Sequence, residues 1–302
     1  MTAESSIPDL EKEISDLESR LQNAKSRLAY ASASPQISKT SPLPAVFSAS
    51  SHALLLLSDS ALPLGSFAYS SGLESYIAHN KPLSRAITPV ASFHRFLRLS
   101  LASMGSLSLP YVLAGYRDPT DLETLDNDLD ASTPCPVAQR ASIAQGRALI
   151  GVWERAFKGA YAASSNSAHR SWDHAAVQRG ARAVEEFSDA LKGSIDDEFG
   201  PKGHFAPLWG VVCLAMGMDA RQTAYVFMLN HAKAVLSAAV RASVMGPYQA
   251  QNILASKVLQ DMIVERIDLD WHTPIEDAGQ VVPPLDLWVG RHELLYSRIF
   301  NS

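Results

Sequence analysis

Residues 54–76 read LLLLSDSALPLGSFAYSSGLESY, a polar corner between two apolar helical patterns. Pro63 fixes φ and is predicted to end the first helix, and Gly65 permits a backbone turn that other residues resist. Ser71 and Glu74 form an S-x-x-E capping box, which predicts that the next helix begins here. The stretch therefore predicts a shaped helix–loop–helix corner. Its purpose is either to anchor the corner's own aromatic residues in the core or to present a docking surface.

Helical periodicity continues along most of the chain. Apolar residues recur at steps of three and four, and no convincing run shows the period-two alternation of a strand. Alanine is frequent, which favours helices and lets neighbouring helices approach closely. We therefore predict an all-α fold, a single bundle of roughly eight to ten helices. The further helical segments are predicted at residues 85–104, 137–161, 172–192, 205–217, 219–243 and 247–267.

Two segments interrupt this pattern. Residues 118–136 are acidic and lack a sustained apolar stripe, so we predict an exposed, mobile loop. Residues 268–289 carry three prolines and a few large apolar residues, which predicts an extended tail across a surface. The closing residues 290–300, GRHELLYSRIF, are predicted to form a short helical end.

The N-terminus has an organisation of its own. Apolar residues alternate at steps of three and four from Ile7 to Leu28, with charged residues between them, which is the heptad pattern of a coiled coil. About three heptads is marginal for an isolated helix, so packing on the chain's own body stays an alternative. Residues 31–45 are small, polar and proline-bearing, as in a linker. We predict a heptad helix and linker at 1–45 and the main domain at 46–302.

The composition limits the classes of function that the protein can have. The 302 residues are 47% hydrophobic, which is enough for a substantial core, and the net charge is −5. A nucleic-acid partner is not expected, because neutralising phosphates needs a basic excess. Neither a signal peptide nor a membrane span is expected, so the predicted location is the cytoplasm. Cys135 and Cys213 are far apart and are predicted to be unpaired, inert thiols.

The sequence shows no pattern typical of a phosphate-binding or metal site. Gly65 and Gly72 have no lysine near them, which argues against a phosphate-binding loop. The nine histidines are scattered, and no metal-ligand spacing occurs, so no stably bound metal or cofactor is expected. His204 and His231 are predicted to be helix-end or core histidines.

A serine hydrolase is the alternative from another class. Residues 68–72, AYSSG, approximate a nucleophile elbow with Ser70 as the nucleophile, and Asp286 and His292 follow in a suitable order. An elbow requires a strand before the serine, however, and the flanks of this stretch are helical. A generic helical scaffold that works through its heptad N-terminus is a third possibility.

The chain also resembles a known family. The spacing of Asp59, Pro63, Gly65, Phe67, Ser70, Gly72 and Glu74 is similar to the signature of the urease accessory protein F family. The resemblance continues at residues 141–153, 203–212 and 239–254. The closing residues 284–300 look like the eukaryotic, fungal form of the family. Together these matches cover about residues 46–302.

The resemblance implies an all-α protein that is not an enzyme. It implies an adaptor for urease maturation that binds accessory protein D, called H in some bacteria, and recruits the nickel-carrying GTPase accessory protein G to apo-urease. Nickel would then be handled by the complex and not held stably by this chain. A homodimer within that complex is also implied. In the family the C-terminal end meets protein D, and the dimer cleft receives the GTPase.

Family residues carry over only where this sequence matches the motifs. Arg241 is also a formal candidate for an arginine finger, although a structural contact at the helix end is the simpler interpretation. Trp288 and Tyr296 are candidate interface anchors, and Trp288 fits a core position equally well. Pro247 and Ala250 stand where the family usually has glutamine and glycine. The candidate partner-binding or structural residues are Pro63, Gly65, Phe67, Ser70, Gly72, Glu74, Arg241, Gly246, Gln251, His292, Ser297 and Arg298.

Overall fold

The computed structural model describes residues 15–22, 24–25, 49–81, 87–161, 174–194, 197 and 200–301. Helix is the only regular secondary structure in these ranges, which confirms the all-α prediction. The chain divides into residues 1–46 and 47–302, and each unit is described by itself. In the first unit, residues 15–22 and 24–25 are helical. The rest of the predicted heptad helix and the predicted linker lie outside the described residues.

The helices of the second unit follow the predicted segments, except that residues 247–267, predicted as one helical segment, form two helices separated at Ala255 and Ser256. Helix α3 continues through a π-helical turn, Met104–Ser108, into α4, and α6 continues through a second one, Trp153–Phe157. Besides the four-residue α-helical segment Lys158–Tyr161 that follows the second π-helical turn, the α-helices of the second unit within the described ranges are α1 (Ala49–Ser58), α2 (Leu73–His79), α3 (Pro89–Ser103), α4 (Leu109–Arg117), α5 (Leu122–Ser132), α6 (Pro136–Val152), α7 (His174–Gly193), α8 (Phe205–Ala215), α9 (Ala220–Arg241), α10 (Pro247–Leu254), α11 (Lys257–Asp270) and α12 (Pro283–Arg291).

Helix α8 lies at the centre of the second unit. Every residue from Ala206 to Ala215 is buried, as expected for a helix that is apolar on all sides. It packs against α4, α6 and α7. Gly210 lies so close to α4 that a Cβ atom at this position would be 2.0 Å from the Val112 carbonyl oxygen. Glycine therefore sets the spacing of the two central helices.

The acidic segment 118–136 corrects the prediction of an exposed loop. It contains helix α5, and Leu122, Leu125 and Leu129 are buried on one face of it. Asp126 is fully buried, and its carboxylate accepts hydrogen bonds from the backbone N–H groups of residues 202, 203 and 204 at 2.5–3.1 Å. The leucines are spaced by three and four, so the apolar stripe is present but is interrupted by acidic residues.

The C-terminal region is a second correction. Helix α11 extends to Asp270, and helix α12 occupies Pro283–Arg291, where an extended tail was predicted. Only a short 3-10 turn, His292–Leu294, follows within the predicted helical end. The physical reason is that Pro283 and Pro284 occupy the first turn of α12, where proline is favoured because no hydrogen bond is lost. Only residues 271–282 of the predicted tail lie outside α-helix, with a 3-10 turn at Ile275–Asp277, and residues 295–301 after the last turn are irregular.

The continuous helix Pro89–Arg117 is long and apolar enough to cross a membrane by length and composition alone. Within the described residues it is the one helix that meets this test, and 67% of its most apolar window is buried inside the protein. Phe93, Phe96 and Leu97 belong to the hydrophobic core. The helix therefore packs as a core helix of the bundle.

Buried thiols and histidines behave as predicted. Cys135 and Cys213 are both free and buried, and burial raises the pKa of the Cys213 thiol. His204 lies at the N-terminus of α8, and its ring nitrogens contact Ser142 at 3.0 Å and Asp130 at 2.9 Å. His204 is thus a satisfied helix-end histidine.

Candidate partner-binding site

The corner between α1 and α2 is built differently from the prediction. Helix α1 ends at Ser58, before Pro63, and the Asp59 carboxylate accepts a hydrogen bond from Ala61 N at 2.9 Å. The corner then contains a 3-10 turn, Ser66–Ala68, which begins after Gly65 in the left-handed conformation, φ 73°. Local hydrogen bonding by Asp59 therefore ends the first helix, and Pro63 lies exposed in the turn.

The predicted capping box does not form. The N-cap of α2 is Gly72, with φ 85°, and Ser71 also has a positive φ of 52°. Ser70 caps the start of the helix in place of Ser71. It is fully buried, and its hydroxyl accepts a hydrogen bond from Glu74 N at 3.3 Å. The Glu74 side chain is consequently free to leave its own helix end and reach residues far away in the sequence.

The Glu74 carboxylate holds the C-terminal tail on the corner. One oxygen accepts from His292 Nε2 at 2.7 Å and from Phe300 N at 3.3 Å, and the other accepts from Ile299 N at 2.8 Å. Glu74 is only 12% exposed, so these contacts form in a largely water-excluded place. We call this arrangement the corner–tail junction.

Arg241 completes the junction from the end of α9. Its guanidinium donates to the Phe67 carbonyl oxygen and lies 4.3 Å from the centre of the Phe300 ring. A backbone bond from Asn301 N to the Ala68 carbonyl oxygen, 2.8 Å long, ties the tail to the corner directly. Arg241 thus makes the structural contact that was the simpler of its two predicted roles.

His292 is buried inside the junction. Because Glu74 is an acceptor, His292 Nε2 carries the hydrogen of their contact. The other ring nitrogen, Nδ1, has no hydrogen-bond partner. Since Nδ1 is not bonded to Ser70, the residues proposed for a hydrolase do not form the serine–histidine contact that such chemistry uses. Within the described residues no strand precedes Ser70 either, so the geometry gives the hydrolase alternative no support.

Helix α12 lies against α2 and carries apolar residues both on the side that faces the core and on the side that faces solvent. Trp288 is partly buried and packs on Tyr76, with ring centres 4.7 Å apart, and on Phe96 at 6.0 Å. This places Trp288 at the edge of the core. Other large apolar side chains of α12 and the tail are more than half exposed, and we call them the tail surface: Leu287, Leu294, Tyr296 and Ile299.

The predicted site residues therefore fall into three groups. The junction brings together Phe67, Ser70, Gly72, Glu74, Arg241 and His292. Pro63 and Gly65 lie exposed on the outer part of the corner, and Ser297 and Arg298 lie exposed in the tail. Gly246, the N-cap of α10, and Gln251 within α10 are exposed and have no described contact with the junction. Pro247 is the first residue of α10, so the departure from the family sequence suits the start of a helix.

Sequence reasoning missed Phe300 and Asn301. Phe300 is 5% exposed, although only two residues follow it in the sequence, and it lies under the Arg241 guanidinium. The available signal was weak: an aromatic residue at the extreme end of a chain that otherwise ends in polar residues. Its burial depends on a contact with Arg241, which no local pattern encodes.

A cavity of about 220 Å³ lies beneath the corner. Its lining includes apolar side chains of the corner, Leu62, Leu64 and Phe67, and apolar side chains of α8, α9 and α12, together with His231 and Asp286. His231 Nε2 contacts the Ser100 hydroxyl at 2.7 Å, and burial raises the pKa of Asp286, which accepts from Gln280 Nε2 at 2.9 Å. In the described ranges no group of three or more His, Cys, Asp or Glu side chains could hold a metal ion.

His231 makes the stability of the protein dependent on pH. Burial lowers its pKa from 6.5 to about 4, so the unfolded chain takes up a proton below pH 6.5 while the folded chain does not until about pH 4. The free energy of unfolding should therefore fall as the pH decreases through this window, by at most about 3 kcal/mol. Urea unfolding of wild type and His231→Gln at several pH values measures this difference. Identical pH dependence in the two proteins would contradict it.

Gly72 is expected to be intolerant of substitution. In Gly72→Ala the alanine would have to keep the positive φ of Gly72, which is strained for a residue with a side chain. Its Cβ atom would also lie 3.0 Å from Val289 Cγ2 and would push α12 away from α2. The matched control is Gly65→Ala, which has a similar φ of 73° but no atom within 4 Å of the Cβ position. We expect losses of about 2–3 kcal/mol for Gly72→Ala and about 1 kcal/mol for Gly65→Ala in chemical unfolding. Equal losses in the free energy of unfolding would mean that the contact with Val289 does not destabilise Gly72→Ala.

Comparisons with known proteins agree on one family. The model of the UreF family matches residues 87–257. A fission yeast protein, "Uncharacterized urease accessory protein UreF-like" of Schizosaccharomyces pombe, is 36% identical over 251 residues, which are 83% of this chain and 97% of that protein. "Urease accessory protein F" of rice is 31% identical, covering 81% of this chain and 82% of that protein. "Urease accessory protein 6" of Cryptococcus neoformans is 26% identical, covering 83% and 96%.

These matches and the all-α bundle define a protein of the urease accessory class. The chain belongs to the UreF family, in a eukaryotic form. Its coarse function, an accessory role in urease maturation, follows from that membership.

Proposed function

We propose that this chain is a non-catalytic adaptor for nickel insertion into urease. With accessory protein D, or H, it recruits the nickel-carrying GTPase accessory protein G to apo-urease, in the cytoplasm and as a homodimer within the complex. An adaptor of this kind acts by holding GTPase, metal and apo-enzyme in one assembly, which raises their effective concentration. Nickel passes between partners and is not held stably by this chain.

The observation that carries the proposal is the tail surface at the corner–tail junction. Tyr296 and Leu294 are fully or largely exposed, although apolar side chains of this size are more often buried. The junction fixes the ends of the segment that carries them, through Glu74 at one side and Asn301 at the other. Ordered, exposed apolar residues suit a protein interface, because little conformational entropy is lost on binding.

The contacts of Arg241 favour a role of this chain in positioning the GTPase over a direct part in GTP hydrolysis. An arginine finger must reach the transferred phosphate. Here the guanidinium is engaged with the Phe67 carbonyl and the Phe300 ring. We therefore propose that the chain places the GTPase and does not supply a catalytic arginine from this position.

Capture of protein D by the purified chain tests the proposal. The double variant Leu294→Ser/Tyr296→Ser removes two side chains of the tail surface. The matched control, Val258→Ser/Leu269→Ser, removes two exposed apolar side chains of α11, which are 65% and 67% exposed. We expect the tail variant to lose capture and the control to bind like wild type. Equal binding of both variants would refute the tail surface as the docking site.

Nickel titration tests the second element of the proposal. Isothermal titration of the chain alone is expected to give no submicromolar, stoichiometric binding. Tight binding by the partner-free protein would show that it stores the metal, contrary to the proposal.

A further inference from the structure

The cavity beneath the corner contains a carboxylate that the function above does not use. Asp286 of α12 lines this cavity of about 220 Å³ and is partly buried. Its Oδ1 accepts from Gln280 Nε2 at 2.9 Å, and Gln280 is held in place because its Oε1 accepts from Val282 N at 2.9 Å. Burial raises the pKa of Asp286, and the hydrogen bond from Gln280 opposes this rise. Among the described residues no cation forms an ion pair with this carboxylate.

The basic side chains of the cavity do not neutralise Asp286. Lys233 lines the cavity, but its Nζ donates to the Ser58 carbonyl oxygen, and the nearby negative charge that acts on it is that of Asp59. His231 is uncharged near pH 7, because burial lowers its pKa to about 4. A partly buried carboxylate without a positive partner is costly, so it favours a cation that is supplied from outside.

The rest of the wall favours an apolar ring. Phe205, Trp209 and Phe227 line the cavity, and the centres of their rings are 5.4–6.3 Å apart. An engineered cavity of about 150 Å³ takes up benzene, so this larger cavity has room for one ring with a short substituent. The apolar side chains contributed by the corner and α12 are Leu62, Leu64, Phe67, Leu285 and Val289.

The cavity opens to solvent beside the end of α1. Asp59 and Ser60 belong to its lining, and both are exposed. A small molecule can therefore enter while the helical bundle stays folded.

We propose that this cavity binds a small aromatic amine, with its ammonium group at Asp286 and its ring against the apolar wall. The ammonium group supplies the cation that the carboxylate lacks, and burial of the ring adds a hydrophobic contribution. The bound molecule contacts α12 through Asp286 and the bundle through Phe227, so it stabilises α12 in its place. This inference does not rest on the urease-maturation proposal.

Tyramine and 4-ethylphenol are matched probes for this site. They share the hydroxylated ring, and only tyramine carries an amine, which is protonated near pH 7 like that of lysine. In ligand-observed NMR titrations of the full chain, we expect tyramine to bind with a Kd on the order of 1 mM or below. We expect 4-ethylphenol to bind at least about tenfold more weakly, because it makes no charge-assisted contact.

Asp286→Asn tests the role of the carboxylate. The variant keeps an acceptor for Gln280 but loses the charge, so its affinity for tyramine should fall at least about tenfold, while its affinity for 4-ethylphenol stays unchanged. The matched control is Asp277→Asn, which alters an exposed aspartate outside the cavity lining and should bind both probes like wild type. Hydrogen exchange at residues 283–291 should become slower when tyramine is added to wild type, and not when it is added to Asp286→Asn.

Three results would overturn the proposal. One is the absence of saturable tyramine binding to wild type, and another is equal affinity of wild type for the two probes. The third is equal affinity of wild type and Asp286→Asn for tyramine. The first two need no variant, so they decide the matter even if Asp286→Asn does not fold. Capture of protein D has no influence on any of them.

Discussion

Glu74→Ala should detach the C-terminal tail from the corner while the helical bundle stays folded. The substitution leaves His292 Nε2 and the backbone N–H groups of Ile299 and Phe300 without their acceptor. Hydrogen bonds to a charged group contribute about 1.5–3 kcal/mol each, so the loss of three of them is expected to weaken tail docking by about 4.5 kcal/mol or more. Hydrogen exchange at residues 292–301 measures the docking directly, and capture of protein D measures its consequence.

Two further variants make this expectation specific. Glu74→Gln keeps one acceptor oxygen but loses the charge, so it should fall between wild type and Glu74→Ala. Glu265→Ala removes an exposed glutamate of α11 and should behave like wild type. Unchanged amide protection of the tail in Glu74→Ala would mean that the carboxylate does not hold the tail in place.

Gly210→Ala should have the largest effect on the fold itself. The added Cβ would lie 2.0 Å from the Val112 carbonyl oxygen and 2.8 Å from Tyr116 N, both backbone atoms of α4. Backbone cannot rotate away as a side chain can, so α8 and α4 must separate and lose contacts throughout the core. We expect a loss of about 3 kcal/mol or more in the free energy of unfolding, and little soluble protein.

The control for this variant is Gly151→Ala. Gly151 is also helical, but no atom lies within 4 Å of its Cβ position. Alanine is the better helix former, so this variant should be neutral or more stable by up to about 1 kcal/mol. Thermal unfolding of both proteins makes the comparison. A Gly210→Ala protein with a wild-type melting temperature would show that the central helices are not so tightly spaced.

Sequence periodicity predicted the fold class because it depends on local spacing. Helix α7 shows this well, since Ala181, Val184 and Phe187 lie one turn apart on its buried face. The same reasoning failed at α5, where acidic residues concealed the spacing of Leu122, Leu125 and Leu129. Charge content was given more weight than the apolar pattern. Three leucines at the right spacing were enough for a buried helix face.

The candidate site was harder to predict because its contacts are distant in sequence. Glu74 was interpreted as half of a capping box, a local role, yet its partners are residues 292, 299 and 300. The family resemblance selected Gly72, Glu74, Arg241 and His292 but could not say that they meet. Gly246 and Gln251 came from the same resemblance and lie elsewhere, at the N-cap of α10 and within it.

Nickel incorporation into apo-urease tests the adaptor account most directly. Purified protein D, GTPase G, nickel and GTP are combined with apo-urease, and the nickel bound per urease active site is measured with wild type, with Leu294→Ser/Tyr296→Ser, and without this chain. The account predicts high incorporation with wild type and incorporation near the chain-free level with the tail variant. Equal incorporation in all three reactions would contradict it.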